Sequence, residues 1–297
     1  MDYPDMREVS KIVGFDLKER LGEIAHEYGL QNYINRLDNL LLTGDKVLDA
    51  GCGSGAWTIA LSFHYQEVVG RDISRDGLCV LKAVSELMNI ENIQIDEGSI
   101  EDLPYERNYF DTILCYGVIF FCDLPKVMNE FFKVLKPGGK VYLTLNDIGW
   151  YQWYTTVPRR ANYGKINLYN TFWKRYLGLP VRHPNGPDTK EELYSSVSRY
   201  CGNDWIDRLD DDYDFFLAKK PLSVTNYNFR SYSFDEINKI VQNSGFVGFT
   251  SSTEGGLVLN TRNPAKVAPR FIGCYEGNFA SWECMFMKPR YQEVVNV

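Results

Sequence analysis

The stretch Lys46–Leu61, KVLDAGCGSGAWTIAL, decides the fold. Val47 and Leu48 open a β-branched, apolar run suited to a buried parallel strand, and Asp49 ends it. Gly51, Gly53 and Gly55 then alternate with small residues, and Trp57, Ile59, Ala60 and Leu61 begin a helical pattern. Strand, glycine turn and helix start together make a cradle. Glycine takes left-handed backbone angles and lets a ligand come close, while the unpaired N–H groups of a helix start attract carboxylate or phosphate.

The spacing bears on the ligand. Dinucleotide folds use G-x-G-x-x-G, whereas this loop reads D-x-G-x-G-x-G with an acid at the strand end. An acid there repels a pyrophosphate and suits an ammonium group such as that of an amino acid. The loop resembles the first motif of class I S-adenosylmethionine-dependent methyltransferases. The resemblance implies that Asp49, Gly51, Gly53 and Gly55 hold the methionine part of S-adenosylmethionine. A glycine-rich turn with no ligand is the bland alternative.

Composition excludes several classes. The 297 residues allow one large α/β domain with an insertion, or two small ones. With 44% hydrophobic and 24% charged residues, a buried core is expected and global disorder is not. A net charge of −7 argues against nucleic acid as a partner. The opening MDYPDMREVS has neither a basic region nor an apolar core, and no apolar run is long enough to span a bilayer. Seven scattered cysteines without a C-x-x-C pair fit reduced thiols and no metal site, so the expected location is cytoplasmic.

Upstream of the cradle, a helix is expected from Asp16 to Leu42, broken near Gly29, with Asp16 and Glu19 as its capping pair. The resemblance implies that such a leading segment (1–42) closes over the cofactor as a lid, with Tyr28 in reach. Downstream, Glu67–Gly70 reads as a second strand ending at Arg71-Asp72. Asp72 lies about twenty residues past the first glycine, where an acid binds ribose hydroxyls. The alternative is a loop Asp capping the helix at Ser74. Ile73 would lie against the adenine face.

Ile93–Ile95 reads as strand three, followed by Gly98-Ser99-Ile100-Glu101-Asp102-Leu103-Pro104. This resembles the family's adenine-edge loop, with Ser99 where an Asp is common. The Ser99 hydroxyl accepts less strongly than a charged group, and the Ile100 amide suits a ring nitrogen. Strand four, Thr112–Tyr116, should end at the same crevice, which makes Cys115 and Tyr116 candidate neighbours of the sulfonium. A helix starting at Asp123 and Pro125 leads to Leu135-Lys136-Pro137-Gly138-Gly139-Lys140, a turn typical of the family, and to strand five, Val141–Leu145. A helix closed by Gly245, a strand Phe246–Thr250 and an alternating segment Glu283–Met287 complete the pattern. The family inserts that last strand antiparallel between its neighbours.

Between strand five and Ser233 lies a long insertion with halves of opposite charge. Residues 148–187 hold no Asp or Glu but six Arg or Lys among many aromatics, and 188–214 reverse the balance. It reads as a self-compensating helical subdomain, as an acceptor pocket, or as a surface element for an anionic membrane or single-stranded nucleic acid. For a pocket, Tyr151 and Trp153 supply walls, and Arg159 and Arg160 fix an anionic group.

The expected fold is therefore α/β: a Rossmann-like, doubly wound sheet of seven strands, mostly parallel with an antiparallel last strand, plus an inserted helical and aromatic cap. The core spans 43–147 and 233–290, and the cap 148–232. The resemblance implies methyl transfer to an oxygen, nitrogen or carbon of a small-molecule acceptor, anionic or aromatic. His183 and Tyr116 are the candidate bases; His64 ends a structural helix. A catalytically silent cofactor-binding subunit is the competing reading, and a nicotinamide oxidoreductase has the wrong glycine spacing.

Overall fold

A computed structural model describes residues 2–17, 29–146, 234–253, 274–275, 278–279 and 281–290. Among them, helices α1 (Met6–Val13) and α2 (Leu30–Leu40) lead into β1 (Lys46–Ala50), α3 (Ala56–Leu61), β2 (Glu67–Asp72), α4 (Arg75–Leu87) and β3 (Ile93–Glu97). Strand β4 (Phe110–Tyr116), α5 (Leu124–Val134) and β5 (Leu135–Asn146) follow. After the insertion come α6 (Phe234–Asn243), β6 (Val247–Thr253), a short pair β7 (Cys274–Tyr275) and β8 (Asn278–Phe279), and β9 (Ser281–Met287).

Seven of these strands form one sheet in the order β3-β2-β1-β4-β5-β9-β6. The five strands from β3 to β5 run parallel, and β9 is antiparallel to both β5 and β6. This is the expected architecture, down to the last strand lying between its neighbours. The winding reverses between β1 and β4, so a crevice opens there beyond the carboxyl ends.

Alternation along the strands sends side chains to two cores. Leu48, Ile113, Val141, Leu143 and Phe286 pack under α5 and α6, while Val47, Val68, Leu114 and Tyr142 pack under α2, α3 and α4. Each fully buried Leu, Ile or Phe contributes about 1.5–3 kcal/mol, which is why both faces carry helices.

Of the helix expected from Asp16 to Leu42, residues 18–28 lie outside the described residues and the part after Gly29 is α2. Helix α1 before it is not among the expected elements; Asp5 caps it, its side chain accepting from the Arg7 N–H. Strand β5 begins at Leu135, ahead of the expected Val141, because Leu135 already pairs with Phe110 of β4; the Gly138 N–H donates to the Lys288 carbonyl, just past β9, at 2.8 Å. At this amino end of the sheet the Lys288 ammonium donates to Asn108 Oδ1 (2.8 Å) and to the carbonyls of Phe132 (2.6 Å) and Leu135 (2.8 Å). That knot locks β9 to both strand four's approach and the start of strand five. Among the described residues no helix is long and apolar enough to cross a membrane.

Candidate functional site

The glycine turn after β1 has the backbone its sequence requires. Gly51, Gly53 and Gly55 all take positive φ, at 84°, 55° and 86°. Gly51 and Gly55 also have no room for a side chain: an added Cβ would sit 2.4 Å from Val118 and 2.3 Å from Leu81. Gly53 differs. A Cβ there would meet nothing within 4 Å, so this glycine faces open space at the switch point. The Cα side of Gly53 is thus left uncovered, although its N–H is held by Asp72.

Asp72 connects this turn to the next strand. Its Oδ2 accepts from the Gly53 N–H and its Oδ1 from the Ser74 N–H, each at 2.8 Å. The bond to Ser74 is the helix-start brace expected as the alternative for Asp72, and the bond to Gly53 ties the glycine turn to β2. Ile73, just past the end of β2, is 44% exposed.

Asp49, at the base of the turn, is almost wholly buried on the α3 side. Thr58 Oγ1 donates to its Oδ2 at 2.6 Å. Burial pushes the carboxyl up to about 7, and the nearby Asp72 charge adds to the rise.

The loop after β3 is held from several sides. The Arg71 guanidinium donates to the Ser99 carbonyl through Nε and to the Asp102 carbonyl through Nη2, each at 3.0 Å. It also fills the space beside Gly98, whose φ of 152° and missing Cβ make room for it. Glu130 Oε2 accepts from the Leu103 N–H (2.8 Å), Lys133 Nζ donates to the Leu103 carbonyl (2.9 Å), and Glu101 Oε1 accepts from the Asp123 N–H (2.8 Å). Ser99 Oγ accepts from the Glu101 N–H at 3.1 Å, a bond inside the loop, and the Ile100 side chain is buried in the core.

At the end of β4 the two candidates part. The Cys115 thiol is fully buried in the core under α5, and burial raises its pKa well above the usual thiol value. Tyr116 points to the opposite face and packs against Trp57, ring centroids 4.8 Å apart and tilted by 43°. Behind this pair lies Arg36 of α2, its guanidinium 5.5 Å from the Tyr116 centroid and 5.8 Å from that of Trp57. Arg36 Nη2 donates to the Tyr142 hydroxyl (2.7 Å) and to Glu283 Oε2 (3.2 Å), and the Tyr142 hydroxyl donates to the same Oε2 (2.6 Å).

Strand order sets Asp49, the three glycines, Asp72, Ile73, Ser99, Ile100 and Tyr116 at or just beyond the carboxyl ends of β1 to β4, with the side chains of Asp49, Ile100 and Cys115 buried. Tyr28, Tyr151, Trp153, Arg159, Arg160 and His183 lie outside the described residues. Sequence reasoning missed Arg71 and the trio Arg36, Tyr142 and Glu283. A signal for Arg71 existed: a charged residue directly before the acid that ends a buried strand. The leading segment also reaches the turn, since the Tyr3 hydroxyl donates to the Ala56 carbonyl at 2.8 Å and Asp2 accepts from the Leu30 N–H.

Comparisons with known proteins agree on the kind of domain. A family model described as a methyltransferase domain matches residues 41–176. Demethylmenaquinone methyltransferases of Oceanobacillus iheyensis and Bacillus mycoides are 34% and 38% identical over 102 residues, a third of this chain. The chain spans 43% of the length of each of these relatives. Geranyl diphosphate C-methyltransferase from Streptomyces coelicolor, solved with S-adenosylhomocysteine, has the same fold at TM-score 0.51 and 14% identity, over 94% of this chain and 84% of that one.

Proposed function

We propose that this chain, whose residues 41–176 match a family model described as a methyltransferase domain, is a class I S-adenosylmethionine-dependent methyltransferase that transfers a methyl group to an oxygen, nitrogen or carbon of a small-molecule acceptor. One observation carries the reading. Gly53 presents bare backbone to the crevice, and the same Gly53 is hydrogen-bonded to the acid that ends β2.

These residues fit S-adenosylmethionine, which supplies an activated methyl on a sulfonium. Gly53 lets the methionine part approach the main chain. Asp72 has a carboxylate whose remaining lone pairs suit a ribose diol. Ile73 offers an apolar face for a base, and the pinned loop at Ser99 and Ile100 sets that base's edge. Asp49 lies under the turn with its carboxyl raised to about 7, and an ammonium end bound above it would draw it toward the ionised form. Tyr116 and Trp57 close the switch point against water. Orientation of this kind supplies on the order of 7–11 kcal/mol of a displacement barrier, so the chemistry does not depend on a strong base. We assign acceptor selection to the segment 148–232, where the acid-free, aromatic half with Arg159 and Arg160 suits an anionic or aromatic molecule.

Calorimetric titration tests the reading. The wild type should bind S-adenosylhomocysteine and not NAD. Asp72→Ala should stay folded and lose about 1.5–3 kcal/mol of that affinity, as for hydrogen bonds to a charged group. Unchanged affinity in Asp72→Ala would remove the ribose assignment. Tight binding with no transfer of labelled methyl to any cell extract would favour the silent-subunit reading.

A further inference from the structure

We infer that Arg36, Tyr142 and Glu283 form a positioning network for this site, fixing the tilted Trp57–Tyr116 ring pair that walls the crevice beside the glycine turn. The inference rests on the cofactor reading above and assigns residues to it that lie outside the glycine and acid motifs.

The network is built from three elements far apart in sequence, α2, β5 and β9, and all three side chains are buried. Packing alone does not call for it. A buried ion pair is often no more stabilising than apolar side chains of the same volume, and leucines would hold α2 to the sheet. What leucines cannot supply is a flat, cationic plate. The Arg36 guanidinium lies within 6 Å of both ring centroids, and its fork is held by Tyr142 and Glu283, so the plate has a set direction.

The rings it faces are at the site. Trp57 follows Gly55 by two residues in the first turn of α3, and Tyr116 ends β4 across the switch point. Gly117, next in the chain, donates its N–H to Thr144 Oγ1 at 2.9 Å, and Thr144 is the register partner of both Tyr116 and Glu283. Network, strand end and ring wall are therefore one continuous set of contacts. Charge is consistent too. Glu283 offsets Arg36, so a cation stands behind the wall without repelling a sulfonium in front of it.

Two variants test this with S-adenosylhomocysteine and adenosine as probes. Adenosine lacks the amino-acid tail that would lie by the rings. Tyr142→Phe removes one hydroxyl and keeps the Arg36–Glu283 pair; Arg36→Lys keeps the charge and loses the plate. Each should weaken S-adenosylhomocysteine by about five- to tenfold and leave adenosine within about twofold of wild type. Equal losses for both probes, or no loss for either, would overturn the inference and leave the cofactor reading standing. Loss of cooperative folding in both variants would assign the network to stability and overturn it as well. A wild type that binds no S-adenosylhomocysteine is a separate outcome, which removes the cofactor reading and this inference together.

Discussion

The turn after β1 and the loop after β3 meet the same crevice and are held by different means. The loop after β3 is clamped by charged side chains of its neighbours: Arg71 on two carbonyls, Glu130 and Lys133 on either side of Leu103, Glu101 on the next helix. None of these bonds uses the open side of the loop. The turn after β1 is held by its own glycine geometry and by Asp72, the carboxylate proposed to bind ligand. One loop is braced by side chains to which no ligand contact is assigned. The other shares its brace with the ligand, so cofactor binding and turn order should rise and fall together.

The largest effect that would break this contrast is at Gly53. Gly53→Val puts a branched side chain at φ 55° into space that is open in the structure. The strain costs about 1–2 kcal/mol, so the protein should fold, and S-adenosylhomocysteine binding should vanish in titration. Retained binding would mean that the uncovered Cα side of Gly53 is not the cradle.

Arg71→Ala probes the other loop and should show the reverse balance. It strips a charged donor from two carbonyls, at a cost of about 3 kcal/mol. At ~2–4 °C per kcal/mol for a domain of this size, the melting temperature should drop by several degrees, and cofactor affinity should fall less than in Asp72→Ala. A larger affinity loss than Asp72→Ala would show that the clamped loop, not the shared carboxylate, governs binding.

The smallest effect concerns Asp49, whose pKa rises from 3.8 to about 7 through burial. Because the folded-state value is raised, the stability it contributes is complete below the ordinary carboxylate range and is lost as pH rises through about 7. The melting temperature of wild type should thus fall relative to that of Asp49→Asn between about pH 4 and pH 7. A constant gap across that range would place Asp49's charge in better contact with water than its burial implies. Added S-adenosylmethionine, with its ammonium above the turn, should shrink the pH-dependent part.

The legible parts of this molecule were those in which one short stretch fixes its own structure. The glycine turn has the positive φ angles its sequence calls for and the last strand lies where its alternation puts it, whereas the Pro-Gly-Gly stretch lies inside β5 and not in a turn before it. Helix α1 was not legible, because its apolar content is thin; Val9 is its buried residue, and the Asp5 cap with Glu8 was the available sign. Glu283 was misleading. In an alternating strand an acid reads as the solvent face, yet it is fully buried against Arg36, 247 residues earlier. Pairing at that distance leaves no trace in spacing. Cys115 illustrates the converse: strand order brought its backbone to the crevice, but alternation sent its side chain to the opposite core.

The place of β9 in the sheet has a consequence for synthesis. Residues Ser281–Met287 are translated after every other strand of the sheet, yet they lie between β5 and β6. Until they leave the ribosome, β5 presents a bare edge and β6 has no partner in the sheet. Strands β1 to β5 can pair on the nascent chain before β9 exists, but the Lys288 and Glu283 bonds must wait until residues 283 and 288 have been made. Edges of that kind invite pairing with other chains, and contacts this distant form slowly. Between translation of Asn146 and Met287 the edge of β5 that β9 will cover is therefore open to pairing with another strand.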